Sequence, residues 1–524
     1  MVSASANAQP ITVADVSGAF IHADLHRTMY IKCGPEFGEK EGQVAVLKKA
    51  LYGLREASKL WMDHMSTIMT DLGWKRSKAD ENLWRRREKA KYKGQIYYEY
   101  CGVYVDDLIV VSHDGATAIK ELETTRKIKF ADRPETYLGG EVRYNTQGNL
   151  VVTAMNYIGE MVAGAEGSAW GKVDGARVTI NPRDTPMRPN DHPEFLNGVE
   201  NEDLNEEDKR KFQKICGQIL WVSGGLGRID VAYAAASLSR FAANPKTGHM
   251  ERAHEVIGYL KKHPNLGLVV DARDPEGVPE MDEKLRHLMT GKKTTAWHSE
   301  KEQLDAVNEG MGDEANAVRE MEFIAAERRV AARECANTDW EEELDEDDPE
   351  PLGKGIRLTA WVDANWAHDY VTRKSITGII VCAGVTPIYW KSTRQSSVSS
   401  STFEAELAGL RTVAEVNRAI RIGMRAHGMK LKGATRVMCD NQAAVQQATK
   451  HDALLKKRHT AISWHRVREA VRRGEMGISF VPSAWMLADL LTKPTGGVIF
   501  NRLVAMLMYR VRITIERSGS ENSA

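Results

Sequence analysis

Residues 100–111 read YCGVYVDDLIVV, two apolar runs that flank the adjacent acids Asp106 and Asp107. Two β-rich runs around a short polar break predict an antiparallel hairpin with both acids at its turn. Adjacent carboxylates repel each other unless a cation compensates their charge, and a divalent-metal site provides that compensation. A solvent-exposed Asp–Asp turn is the alternative, because motifs this short match by chance.

A third acid, Asp15, lies upstream in the apolar stretch ITVADVSGAF, which predicts a second strand. A two-metal phosphoryl-transfer site needs a third carboxylate beside the pair. Residues 56–72 carry apolar side chains at helical spacing and predict a helix between these strands. Residues 11–158 therefore indicate one α+β unit.

A second set of acids follows residue 355. Asp363 lies in the strand-like stretch RLTAWVDANWA, on the face opposite Leu358, Ala360 and Val362, and an acid there needs a partner or a metal. A hairpin is predicted from TGIIVCAGVTPIYWKS, and a helix from Thr402 to Gly428. In that helix Glu406 lies at the edge of the apolar stripe, whereas Glu404 lies on the other side, so Glu406 is the acid predicted to point inward.

Two further acids complete this second set. Asp440 ends the predicted strand 436–439, and Asp489 is placed at the start of the last helical stretch. Four carboxylates from separate elements could converge on two magnesium ions. Taken singly, the acids also fit helix N-termini or an ordinary turn.

Motifs in both halves resemble the Pol polyproteins of copia-type LTR retrotransposons, in that family's order. The first half carries DVSGAF, MYIKCGPEFG, LKKALYGLREASKLW, YVDDLIVVS, YLGGEV and RIDVAYAAASLSRFAANP; the second carries WVDANWA, RKSITGIIVCAG, WKSTRQSSVSSSTFEAELAGL, CDNQAAV, KKRHTAISWHRVREAV and FVPSAWMLADLLTKP. The resemblance implies a reverse transcriptase followed by an RNase H domain.

For the reverse-transcriptase half, the resemblance implies that Asp15 and Asp106 are metal ligands and that Asp107 is a less directly involved neighbour. Phe20 resembles the steric gate that favours deoxynucleotides, although a plain core Phe is the alternative. Gly53 resembles part of the loop that supports the template and the incoming nucleotide, where glycine permits close backbone approach.

Two departures from the family pattern affect the polymerase. The family usually continues this loop with Lys-Gln-(Ala/Ser)-Pro, whereas residues 55–58 here are Arg, Glu, Ala and Ser. Only fourteen residues precede Asp15, so we expect the fingers region that grips the triphosphate in the family to be missing here. We therefore expect an RNA-directed DNA polymerase that is defective.

For the RNase H half, the resemblance implies that Asp363, Glu406, Asp440 and Asp489 hold Mg²⁺ or Mn²⁺. His459 and His465 lie in a predicted basic helix, residues 456–473, and either contact the hybrid's backbone or belong to a solvated face. The expected partners are an RNA–DNA hybrid, a template–primer and dNTPs. The sequence leaves homodimer formation open.

The composition fits an intracellular protein. The net charge is +0, but basic residues cluster at 75–93 and 456–473 and acids at 341–350. We therefore expect local basic surfaces for nucleic acid although the total charge is neutral. The six cysteines are scattered, which fits a reducing compartment, either the cytoplasm with its virus-like particles or the nucleus. We expect no membrane partner, because the apolar segment 498–513 is short and interrupted by charge.

The predicted fold class is α/β (α+β): a palm-like sheet with helices, a helical connector, and an RNase H-like mixed sheet flanked by helices. The predicted domains are a truncated palm at 1–160, a thumb- or connection-like helical region at 161–270, an acidic insertion or linker at 271–354 that is partly disordered, an RNase H-like domain at 355–495, and a C-terminal helix with a loose tail at 496–524. Two alternatives stay open: a decayed or domesticated protein that binds nucleic acid without catalysis, and an unrelated acidic-cluster nuclease or phosphatase.

Overall fold

The structure is a computed structural model that describes residues 1–124, 128–131, 136–166, 172–173, 176–177, 179–274, 347–450 and 458–511. Most of the predicted acidic insertion (275–346) and most of the predicted loose tail (512–524) lie outside the described residues. The chain divides into two compact units. The first comprises Met1–Leu150, Asp347–Gly355 and Ile422–Lys430, and the second comprises Val151–Glu346, Ile356–Arg421 and Leu431–Ala524.

The elements up to residue 144 alternate short strands with three helices. They are α1 (Val2–Asn7), β1 (Ile11–Val16), β2 (Asp24–Lys32), β3 (Val44–Lys49), α2 (Ala57–Asp71), β4 (Lys75–Arg76), β5 (Leu83–Arg87), β6 (Tyr98–Tyr104), β7 (Asp107–Val111), α3 (Gly115–Glu123), β8 (Ile128–Ala131), β9 (Thr136–Tyr137) and β10 (Gly140–Tyr144).

A six-stranded antiparallel sheet in the order β4-β5-β6-β7-β1-β8 forms the centre of the first unit. Helix α2 packs on this sheet through the predicted apolar positions, of which Trp61 and Met69 are fully buried. It ends at Asp71, and Gly73, just beyond the C-cap residue, has a φ of 80° that favours glycine. The predicted hairpin, strand and helix of this region are all confirmed.

The elements from residue 150 onward begin with helices and continue with a second large sheet. They are β11 (Leu150–Thr153), α4 (Met155–Glu166), β12 (Lys172–Val173), β13 (Ala176–Arg177), α5 (Glu206–Gly224), α6 (Ala232–Ser239), α7 (Thr247–Lys262), β14 (Leu266–Val270), β15 (Leu352–Ile356), β16 (Leu358–Asn365), β17 (Ile376–Ala383), β18 (Thr386–Arg394), α8 (Thr402–Ala426), β19 (Met429–Leu431), β20 (Thr435–Cys439), α9 (Gln442–Thr449), α10 (Ala461–Arg472), β21 (Met476–Phe480), α11 (Gly497–Leu507) and β22 (Tyr509–Arg510).

A five-stranded mixed sheet in the order β18-β17-β16-β20-β21 organises the second unit. Strands β16, β17 and β18 run antiparallel, whereas β20 and β21 join them in parallel. Alternate residues of β16 pack into two different cores. Ala360 and Val362 face the core that includes residues of α8, α9 and α10, and Trp361 faces the core that includes residues of α4 to α7.

Within the helical region predicted at 161–270, residues 206–262 form α5, α6 and α7. The predicted helix at 456–473 is observed as a 3-10 turn at Arg458–Thr460 followed by α10, and residues 451–457 lie outside the described residues. No helix among the described residues is long and apolar enough to cross a membrane. The five cysteines in the described part of the chain are free and buried.

Candidate metal centres

The first centre lies where β1 meets the β6–β7 hairpin. Asp15 and Asp107 are direct partners across the antiparallel pair of β1 and β7, so their side chains share one face of the sheet. Asp106 lies in the turn, and its carbonyl oxygen accepts a hydrogen bond of 2.8 Å from the amide of Val16. The three acids named in the sequence are therefore close neighbours.

The turn itself is held in an unusual backbone conformation. Val105 has a φ of 53°, which a β-branched residue rarely adopts, and its carbonyl oxygen accepts a 2.5 Å hydrogen bond from the indole nitrogen of Trp61. This bond ties the turn to α2. Partial burial, and then the charges of Asp106 and Asp15, raise the pKa of Asp107 above its ordinary value.

Phe20 and Gly53 lie near each other in the first unit. Phe20 is buried in a 3-10 turn at Ala19–His22, and its ring centroid lies 4.5 Å from that of the exposed Tyr52. Gly53 has a φ of 93° and open space where a Cβ would lie. Glu56, one of the departures from the family pattern, is paired with Arg27 at 3.0 Å.

The second centre brings acids together from separate elements of the second unit. Asp363 on β16, Glu406 on α8 and Asp440 after β20 each offer a carboxylate oxygen, and these oxygens all lie within 4.8 Å of one another. Among the residues that the structure describes, this is the one such group of three or more acidic, histidine or cysteine ligands. The acids Asp15, Asp106 and Asp107 do not meet that criterion.

Because the second centre is buried, ionisation of its neighbouring carboxyl groups is unfavourable. Asp363 and Glu406 are each only 5% exposed. Burial, followed by the charges of Asp363 and Asp440, raises the pKa of Glu406 to about 9. Burial likewise raises the pKa of Asp440, although a 2.7 Å hydrogen bond from the Ser483 hydroxyl opposes the shift. A bound cation would remove this cost.

Asp489 lies beside this trio. It is buried, and burial followed by the charge of Asp363 raises its pKa above the ordinary value. The predicted position of Asp489 at the start of the last helical stretch is wrong. It occupies a short 3-10 turn, Leu487–Leu491, which is separated from α11 by residues 492–496, among them Pro494 and Gly496.

Glu404 and Glu406 point to different environments, as the apolar stripe predicted. The Glu404 carboxylate accepts hydrogen bonds from the amide and hydroxyl of Ser400, both 2.7 Å, and lies 3.3 Å from His459. Glu406 instead accepts a 3.4 Å bond from the amide of Ala364 on β16. His465 packs against Trp464, with ring centroids 4.8 Å apart.

Sequence reasoning missed the cation of the second centre. The ammonium of Lys493 lies 2.8 Å from Asp489 Oδ1. Burial alone would lower the pKa of Lys493, but the carboxylates of Asp363 and Asp489 raise it above its ordinary value. The Thr492 hydroxyl donates to Asp363. The i to i+4 spacing of Asp489 and Lys493 was the available signal.

Comparisons with known proteins find similar sequences over most of the chain. Residues 1–170 match the family model described as reverse transcriptase (RNA-dependent DNA polymerase). The retrovirus-related Pol polyproteins from transposons RE1 and RE2 of Arabidopsis thaliana are each 23% identical to the chain, over 95% and 94% of its length. Together these matches support the interpretation of the chain as part of a copia-type retrotransposon Pol polyprotein. The chain spans 27% of the length of each of those two relatives.

Further similar proteins cover different shares of the chain. The putative transposon Ty5-1 protein of Saccharomyces cerevisiae is 27% identical over 47% of the chain and 74% of its own length. Among solved structures, a foamy viral protease-reverse transcriptase in complex with double-stranded DNA is 11% identical, with a TM-score of 0.40, over 90% of this chain and 56% of its own. The N-terminal RNase H domain of a Mycobacterium tuberculosis protein is 14% identical, with a TM-score of 0.20, over 29% of this chain and 98% of its own.

Proposed function

We propose that this chain hydrolyses the RNA strand of RNA–DNA hybrids at the centre formed by Asp363, Glu406, Asp440 and Asp489. The observation that carries the proposal is the convergence of three carboxylate oxygens within 4.8 Å, from a strand, a helix and a strand end. Purely oxygen ligands with a large negative charge suit Mg²⁺ or Mn²⁺. Two such ions, when bound, supply an activated water and stabilise the departing 3′ oxygen.

The residues of the chain position and balance this charge. Asp363 and Glu406 would hold the ions from the buried side, since both are almost inaccessible. Ser483 and Thr492 orient the carboxylates of Asp440 and Asp363 by donating hydrogen bonds to them. Lys493 keeps a positive charge beside Asp489, which limits repulsion inside the cluster and of the approaching phosphate.

We also propose that the first centre, with Asp15 and Asp106 as ligands, is the remnant of a DNA polymerase site that works poorly in this chain. Its three acids lie near each other but fail to converge as closely as those of the second centre. Phosphoryl transfer depends on positioning, and a misplacement of about 1 Å costs on the order of a hundredfold in rate. A template–primer and dNTPs are its expected ligands.

Substrate selection tests the proposed hydrolysis. Purified protein should cleave the labelled RNA of an RNA–DNA hybrid in Mg²⁺ or Mn²⁺, and should leave double-stranded RNA and double-stranded DNA intact. EDTA should stop the reaction. Cleavage of double-stranded DNA or of a phosphate monoester at the same rate would instead identify an unrelated acidic-cluster nuclease or phosphatase.

Metal binding separates an enzyme from a catalytically dead nucleic-acid-binding protein. Isothermal titration with Mg²⁺ and Mn²⁺ should show binding to the parent protein that is lost or greatly weakened in Asp363→Asn. Glu404→Gln is the matched control, because Glu404 bonds to Ser400 rather than to the cluster. Hybrid binding without measurable metal binding would favour a decayed or domesticated protein.

A further inference from the structure

A cleft of about 760 Å³ opens beside the second centre and shares two residues with it, Asp489 and Lys493. Its volume lies within the roughly 300–1,000 Å³ typical of small-molecule sites. The rest of its lining includes Asn190 and His192 and the loop that follows β16, which carries Trp366 and Tyr370. All of these residues belong to the second unit.

The lining of the cleft combines exposed aromatic rings with positive charge. Trp366 and Tyr370 are 45% and 48% exposed. The His192 ring meets that of Tyr370 edge-on, with centroids 4.3 Å apart, and the guanidinium of Arg373 lies 5.7 Å from the centroid of Tyr370. Lys493 adds a second cation where the cleft meets the acids.

The loop is held in a costly conformation that keeps these side chains in place. Ala367 and Arg373 both have left-handed backbone conformations, with φ of 49° and 55°, and Asn190, which also lines the cleft, has a φ of 57°. Non-glycine residues in this region are uncommon and tend to occur where a binding site fixes the backbone. Three of the seven such residues in the described chain therefore line this one cleft.

Buried contacts anchor the loop. Asp369 is almost fully buried and forms ion pairs of 2.8 Å with both Arg240 and Arg394. Its carboxylate also accepts hydrogen bonds from the amides of Val371 and Thr372. The Trp366 indole nitrogen donates a 2.9 Å bond to the carbonyl of Ser399, which fixes the ring while leaving almost half of the side chain accessible.

We propose that this cleft binds one unpaired nucleotide of the nucleic acid that occupies the neighbouring centre. An unpaired base has free faces that stack on aromatic rings in any sequence, whereas a paired base would first have to leave the duplex. Arg373 and Lys493 suit the nucleotide's phosphate. The cleft would thus recognise a single-stranded extension of a hybrid. This proposal rests on the hydrolysis proposed above in one respect: it takes the duplex to be an RNA–DNA hybrid.

A fluorescent base tests the cleft without any cleavage. The full chain carrying Glu406→Gln is mixed in EDTA with hybrids that carry 2-aminopurine either in a single-stranded RNA or DNA extension or paired inside the duplex. We expect quenching of the unpaired probe only. Trp366→Ala in the same background should bind the extended hybrid about fivefold to a hundredfold more weakly, and should weaken the binding of a blunt hybrid far less.

Matched variants distinguish a loss of binding in the cleft from misfolding. Trp221 is 43% exposed and lies on α5 away from the cleft lining, so Trp221→Ala should bind like its parent. Trp366→Phe should recover part of the affinity, and Tyr370→Ala should lose affinity as Trp366→Ala does. Equal loss for blunt and extended hybrids, or no quenching of either extension, would overturn the proposal. If the protein quenches 2-aminopurine in single-stranded RNA or DNA but the parent cleaves no hybrid, the proposed hydrolysis would be refuted while the nucleotide-binding cleft would be supported.

Discussion

Replacing Glu406 by Gln should stabilise the metal-free protein, in a manner that depends on pH. The pKa of Glu406 rises from 4.5 to about 9 in the folded protein because the side chain is buried beside Asp363 and Asp440. A carboxyl with a raised folded-state pKa leaves stability intact below pH 4.5. Stability is then lost as the pH rises toward 9, because the unfolded chain ionises first.

The size of the effect follows from this shift. At pH 7.5 the Glu406 carboxyl is still mostly protonated in the folded protein but is ionised in the unfolded chain. The two states differ in this way over about three pH units, so the folding free energy lost is on the order of 4 kcal/mol as an upper limit. Glutamine keeps nearly the same shape without this penalty. In EDTA, Glu406→Gln should therefore unfold at a higher temperature than the parent at pH 7.5, and the difference should nearly vanish at pH 4.5.

Thermal unfolding at pH 4.5, 6, 7.5 and 9, with EDTA or with Mg²⁺, measures this directly. Mg²⁺ should raise the melting temperature of the parent more than that of Glu406→Gln, since the ion compensates the charge that the variant lacks. Glu404→Gln is the control, and its difference from the parent should not grow between pH 6 and 9. A Glu406→Gln protein that is less stable than its parent at pH 7.5 in EDTA would refute the reasoning.

Three further predictions concern other parts of the chain. Lys493→Met should lower stability in EDTA by roughly 1–3 kcal/mol, because Asp489 loses its ion pair; an equal loss in Mg²⁺ during thermal unfolding would contradict a charge-balancing role. Replacing residues 275–346 by a short Gly–Ser linker should leave hybrid cleavage intact, since this charge-dense segment supplies none of the proposed ligands; a folded but inactive variant, judged by circular dichroism and a cleavage assay, would show otherwise. The parent chain should extend oligo(dT) on poly(rA) weakly or not at all, and robust extension that Asp106→Asn abolishes would show that the first centre is functional.

Local patterns in the sequence were sufficient for most elements. The β6–β7 hairpin, α2 and the inward face of α8 each follow from a periodicity of apolar residues within one element. That is why Glu406, rather than Glu404, could be assigned to the interior from spacing alone. The four proposed ligands of the second centre were named from the residues and the family resemblance together.

What the sequence did not predict depends on contacts between distant segments. The loop after β16 lines one cleft with Asn190 and His192, which are about 175 residues away in the sequence. The local spacing of apolar residues carries no information about such contacts. The 3-10 turn at Asp489 was mistaken for the start of a helix, because the apolar residues LADLL fit either conformation. The role of Lys493 in balancing the charge of the second centre follows only from the structure, which places Asp363 and Asp489 beside it.

The central claim is that Glu406 belongs to a metal-dependent RNase H site, and one matched pair of variants tests it most directly. Cleavage of the RNA strand of a labelled RNA–DNA hybrid in Mg²⁺ should be measured for the parent, Glu406→Gln and Glu404→Gln under single-turnover conditions. We predict that Glu406→Gln abolishes cleavage, by at least about a hundredfold, while remaining folded, and that Glu404→Gln retains activity. A Glu406→Gln protein that cleaves as fast as its parent, or a parent that cleaves no hybrid, would contradict the account.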